Sequence, residues 1–201
     1  MKQTRVRLAL LAVIALIALP ALLPATANAQ NFKLGTGKVS VSLDPFFVIF
    51  LTAGYPMYPV APAAMAFDAP GTRLALPVTG GIWHATLHPH GTFVLKGGFV
   101  FVHNTGSPML ESLSIPGWHA VVGTTAGWTG LVNGTRTPIL DEDLSTSTTT
   151  FPKSHGQRFV KITGVVLEYD DAFTSAFNTA FGTSLANGEP FGTATLVARL
   201  K

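Results

Sequence analysis

The sequence predicts an all-β fold that carries two short helices, and three observations support this. Apolar and polar residues alternate with period two along most of the chain. Turn residues interrupt the alternation at the spacing typical of sandwiches and barrels. Two segments depart from the pattern and carry the end signals of short helices instead.

The chain opens differently. Lys2, Arg5 and Arg7 precede an apolar run from Leu8 to Leu23, and Ala27-Asn28-Ala29 forms an A-x-A cleavage site. Residues 1–29 are therefore predicted to be a secretory signal peptide, with an uncleaved anchor as the alternative. Residues 30–201 are predicted to form a single β domain. Removing the signal changes the charge. The whole chain has thirteen Lys and Arg against ten Asp and Glu, and three of the thirteen lie in the signal. The remainder balances at ten of each, so charge gives no reason to expect a nucleic-acid partner. There is no cysteine, hence no disulfide framework, and packing alone must hold the exported domain together.

The elements follow in order. In KVSVSL, Val39, Val41 and Leu43 share one face while Ser40 and Ser42 share the other. LDPFFVIFLTAG offers Asp44 as N-cap, Pro45 as first helical residue and Gly54 as stop. This segment is apolar all round, so a buried strand is the alternative to a helix. TAGYPMYPVAPAA is held extended by its prolines. TRLALPVTGG, GTFVLKGGFVFV, PMLESLSI, WHAVVG and GTATLVARL form further short strands, with Gly97-Gly98 as a two-residue hairpin turn. The polar segment Ser145 to Gln157 is the most loop-like stretch within the chain. In RFVKITGVVLEY, Gly164 marks a bulge. DDAFTSAFNTAFG is the clearest helix: Asp170 or Asp171 caps it, and Phe173, Phe177 and Phe181 make one apolar stripe that Gly182 ends.

Motifs for hydrolysis and phosphate binding are missing: there is no G-x-S-x-G, no H-E-x-x-H and no phosphate-cradling glycine loop. In the acidic run, Asp141 and Asp143 share a strand face. They could hold Ca²⁺, or they form a solvated, charged strand edge. Four of the six histidines fall between His84 and His103. On a strand, His88 and His90 emerge on one face, and His84 joins them if the strand runs on. Such a set can bind Zn²⁺ or Cu²⁺. Pro89 argues instead for a turn with three exposed histidines.

Here the sequence reaches a family. GTFVLKGGFVFVHNTGSPMLESLS resembles the central hairpin of the HtaA-type domains of secreted and cell-surface actinobacterial proteins. In those domains G-T-V-x-F-x-G is followed by V-x-F-x-G-H-x-G and another alternating strand. LALPVTGG resembles the strand and turn before that hairpin, and TPILDEDLS resembles a later strand. ITGVVLEYDDAFTSAFNTAFG with NGEPFGTATL resembles the closing strand, helix and last strand. The resemblance runs from about Thr72 to Leu200. It implies a two-sheet antiparallel, β-sandwich-like domain with small helices. It also implies haem held by a tyrosine on iron, with a histidine in support. A phenolate suits ferric iron as a hard, anionic ligand. His103 stands one residue from the family's histidine position, and Tyr55, Tyr58 and Tyr169 are the chain's three tyrosines.

The expectation is an exported, non-enzymatic, HtaA-like binding or envelope-associated protein. It takes haem or another apolar small molecule, or it is a structural module for an envelope protein partner that has lost the haem site. No membrane span remains once the signal is cleaved. The mass of the protein recovered outside the membrane should correspond to a chain starting at Gln30. A mass that includes Met1 to Ala29 would refute cleavage.

Overall fold

A computed structural model describes residues 30–52, 54–68, 71–86, 88–103, 111–124 and 127–201. The predicted signal lies outside them. In chain order the elements are β1 (Gln30–Leu43), α1 (Pro45–Thr52), β2 (Met57–Val60), β3 (Ala64–Asp68), β4 (Gly71–Ala85), β5 (His90–Leu95) and β6 (Gly98–His103). There follow β7 (Glu111–Pro116), β8 (His119–Val122), β9 (Trp128–Val132), β10 (Thr135–Asp143), β11 (Thr148–Thr150), β12 (Lys153–Ser154) and β13 (Gln157–Tyr169). Helix α2 (Asp171–Phe181) and β14 (Pro190–Leu200) complete the chain.

The strands form two antiparallel sheets, so the all-β, sandwich-like class holds. The larger follows the order β1-β14-β13-β10-β9-β8-β5-β4-β3, and β1 also pairs with β4. That extra pairing brings the sheet round on itself, because Val39 lies between Leu196 on one side and Leu76 on the other. The smaller sheet is β2-β6-β7. Buried side chains from Phe32 to Leu200 make one contiguous cluster.

A curling sheet must bend, and bulges bend it. Each one also reverses which residues face inward. Strand β1 buries Phe32 and Leu34, slips between Leu34 and Gly37, then buries Val39, Val41 and Leu43. Strand β4 buries Leu74, Leu76 and Val78, slips between Val78 and Gly80, then buries Trp83. Strand β13 slips between Thr163 and Val165, so burial passes from Val160 and Ile162 to Val165 and Leu167. Gly164, at φ 74°, is the bulge residue that the sequence marked.

Both helices begin where their caps predict, and α2 also ends at its predicted glycine. The Phe46 N–H donates to Asp44 Oδ1 at 2.8 Å, and the Ala172 N–H donates to Asp170 Oδ1 at 2.7 Å. Gly182 closes α2 in the left-handed region and returns its N–H to Asn178 O. The helical reading of LDPFFVIFLTAG, rather than the strand, is therefore the correct one. Phe47 from α1 and Phe173, Phe177 and Phe181 from α2 are all buried.

Two local expectations need correction. Gly97-Gly98 is not a hairpin turn. Strand β5 pairs with β4 and β8, whereas β6 pairs with β2 and β7, so the chain changes sheets there. The glycines are needed for close approach. A Cβ on Gly97 would lie 2.6 Å from Val60 O, and one on Gly98 would lie 2.2 Å from Ile115 O. The polar stretch from Ser145 to Gln157 is also not all loop. Strands β11 and β12 within it pair with β13, and His155 and Gly156, both at positive φ, make the tight turn that returns β12.

The α2 stripe carries the main stability prediction. Phe177 is fully buried and touches Phe101, Tyr55, Phe173 and Phe181. Phe177→Ala should lower the unfolding free energy by roughly 3–5 kcal/mol. An unchanged denaturant midpoint would show that α2 is peripheral.

Candidate functional site: an aromatic seam ending in Tyr55 and His103

Period two puts Phe99, Phe101 and His103 on one face of β6, the face turned toward the helices. Two strand residues advance about 6.8 Å, and four helical residues advance about 6.0 Å. The two elements therefore match step for step. Phe101 meets Phe177 edge-to-face at 5.3 Å, and two residues on His103 meets Phe181 at 6.1 Å. Each such aromatic pair adds about 0.5–1.5 kcal/mol beyond burial. His103 thus ends a row of aromatic rings.

Tyr55 closes the row from the segment between α1 and β2. Its ring stacks on His103 with centroids 4.6 Å apart and planes 25° from parallel. It also packs edgewise on Phe177 and Phe181 at 5.9 and 5.7 Å. The carboxylate of Glu111, opposite His103 on β7, accepts from His103 Nδ1 at 3.3 Å. That contact fixes the tautomer and leaves Nε2 with its lone pair when the ring is neutral. Tyr55 is half-buried, and the His103 side chain keeps 24% of its surface exposed. The pair therefore has an apolar floor and an open side.

The other tyrosines are placed differently. Tyr169 is only 3% exposed, stacks on Phe173, and its hydroxyl has no hydrogen-bond partner. Burial foremost, and then the Glu189 carboxylate, push its ionisation well above the ordinary range, so it offers no phenolate. Tyr58 is 53% exposed on β2, in an apolar groove of about 360 Å³ lined also by Pro56, Met65 and Phe67.

Of the other histidines, His84 and His90 lie opposite each other on β4 and β5, and their rings stack at 4.7 Å. The His88 side chain is exposed. Among the described residues, no three His, Cys, Asp or Glu side chains gather into a metal-holding group. Asp141 and Asp143 are exposed, and Asp143 is engaged by the N–H and hydroxyl of Ser145, which hold its carboxyl below the usual range.

Glu142, between them in the acidic run, is less exposed than either. Its Oε1 accepts the Gly123 N–H at 2.7 Å, while its Oε2 and the nearby Trp128 indole N–H both lack a partner. Burial pushes this carboxyl up to about 7, against the Gly123 N–H, which favours its charged form. Only tertiary burial distinguishes it from its neighbours, and the sequence does not carry that signal.

A carboxyl raised in this way contributes its full stability below pH 4.5, its ordinary value, and loses it as pH rises through about 7. Glu142→Gln should flatten the melting temperature against pH across that window, and should melt above the wild type beyond it. Parallel curves for the two proteins would show that Glu142 is solvated.

No family model matches the sequence, and no curated protein matches it. Solved structures do. The C-terminal domain of HtaA from Corynebacterium glutamicum superposes with a TM-score of 0.55 at 12% identity, covering 85% of this chain and 99% of that domain. The heme binding protein HtaB from the same organism gives 0.43 at 13% identity, covering 86% of this chain and 97% of that one. The chain therefore has the fold of the HtaA C-terminal domain, which is the architecture its motifs resemble.

Proposed function

We propose that this protein is an exported, non-enzymatic haem-binding protein, with Tyr55 as the iron ligand and His103 in support. The stack of Tyr55 on His103 carries the reading. It joins the one partly exposed tyrosine on the aromatic row to a histidine already oriented by Glu111. Ferric haem would bring a hard Lewis-acidic iron and a broad apolar ring. A phenolate suits the first, and the floor of Phe177 and Phe181 suits the second. Pro56 leads from Tyr55 into the apolar groove beside Tyr58, which adds apolar surface next to the pair. His103 would orient Tyr55 through the ring stack.

Hemin titration followed at the Soret band tests the reading. The wild type should give a saturable shift. Tyr55→Phe should abolish it, and His103→Ala should weaken binding by about 10–100-fold, as loss of a supporting contact does. Tyr58→Phe and Tyr169→Phe should bind like the wild type. A wild type without a saturable shift at micromolar hemin, or a Tyr55→Phe variant with unchanged affinity, would contradict it. The structural or interaction module would then be the better account.

A further inference from the structure

A second site lies on the larger sheet. Successive strands β1, β4 and β5 place Asn31, His84 and His90 in one row, since Asn31 pairs with His84 and His84 pairs with His90. All three lie on the outer face, because Phe32, Trp83 and Gly91, their neighbours in sequence, are buried. The row continues to Gly123, just past the end of β8. A Cβ on Gly123 would come within 2.9 Å of His90 Cβ, so glycine is needed beside the ring.

The hydrogen bonds of the two rings share a direction. His90 Nδ1 lies 3.0 Å from His88 O, and a carbonyl can only accept, so Nδ1 carries the proton. His84 Nδ1 donates likewise to Asn31 Oδ1 at 2.7 Å. In both neutral rings Nε2 therefore keeps its lone pair, and among the described residues neither Nε2 has a hydrogen-bond partner. A ring whose one nitrogen donates to a carbonyl or amide oxygen, leaving the other bare, is how proteins orient a metal-ligating histidine. The turn supports the arrangement further: the Thr86 hydroxyl also donates to His88 O, at 2.6 Å, and so holds the acceptor in place.

We propose that His84 and His90 form a two-imidazole site for a divalent first-row transition ion, with copper preferred over nickel and nickel over zinc. Two metal–nitrogen bonds of about 2.1 Å span at most about 4.2 Å. Ring centroids 4.7 Å apart place both imidazoles within reach of one ion, and each ring turns about its side-chain bonds until its in-plane Nε2 lone pair points at it. Borderline imidazole donors suit these ions, and the preference follows their general order of complex stability. Water completes the coordination, since the pair lies on the solvent side of the sheet. His88 contributes its backbone carbonyl rather than its imidazole, which replaces the three-histidine set suggested by the spacing. Asn31 is a positioning residue. The site does not depend on haem binding.

Calorimetric titration with Cu²⁺, Ni²⁺ and Zn²⁺ in a non-coordinating buffer, with Cu²⁺ also followed by electron paramagnetic resonance, tests the site. The wild type should bind one ion, with spectral splitting from two nitrogens. His84→Ala and His90→Ala should each abolish that signature while keeping the far-ultraviolet circular dichroism of the wild type, because both side chains point outward. Asn31→Ala should weaken binding by about 10–100-fold, and Asn31→Asp should restore it by supplying another oxygen acceptor. His88→Ala and His103→Ala should bind as the wild type does. No stoichiometric copper or nickel uptake, or unchanged affinity in both His84→Ala and His90→Ala, overturns the proposal. A loss in His88→Ala equal to theirs overturns the two-ligand form.

Discussion

The match in repeat between strand β6 and helix α2 is the constraint on which the rest of the structure depends. A strand advancing by two and a helix advancing by four cover nearly the same distance. Phe101 and His103 can therefore sit against Phe177 and Phe181 without strain in either element. Around this contact the helices, the small sheet and the end of β13 share one set of rings: Phe47 touches Phe101, Tyr169 and Phe191, and Phe101 touches Phe173. In a chain without cysteine, interlocked rings supply the cross-links that disulfides provide elsewhere. The polar end of the same row is the candidate site. Its geometry is therefore set by the core.

The larger sheet supplies the frame. It returns to itself through the pairing of β1 with β4 and so leaves few bare edges to recruit other chains. Its bulges bend the strands and keep the apolar set inward after each slip. Glycine is needed where backbones press together. A Cβ on Gly37 would lie 2.0 Å from Val197 O, and one on Gly81 would lie 1.9 Å from Thr92 O. Away from the buried side, the outer face of β1, β4 and β5 is free to carry polar rows such as Asn31, His84 and His90.

Much of this was legible in the sequence, and the exceptions have one physical cause. Helix α2 could be read from its caps and its phenylalanine stripe, because both signals are local. The bulge at Gly164 could be read because one residue broke the alternation. Gly97-Gly98 could not be read correctly. Two glycines between strands look alike whether those strands pair with each other or join different sheets. The distinction lies in Val60 O and Ile115 O, which are remote in sequence. The Tyr55–His103 contact had no local signal either, since those residues come from segments on opposite sides of β2 through β5. The motif resemblance pointed to His103 but left three tyrosines to choose among, and burial separates them. For the histidines near Pro89, the spacing implied a shared face, whereas the turn sets His84 across from His90 on a neighbouring strand.

The central claim is that the aromatic row holds Tyr55 against His103 before any ligand arrives. Nuclear Overhauser contacts between the ring protons of these two residues, in protein free of haem, test it most directly. The account predicts cross-peaks from the Tyr55 ring to the ring protons of both His103 and Phe181. A Tyr55 ring with contacts to neither would contradict the account, and would leave the candidate site without the geometry on which it rests.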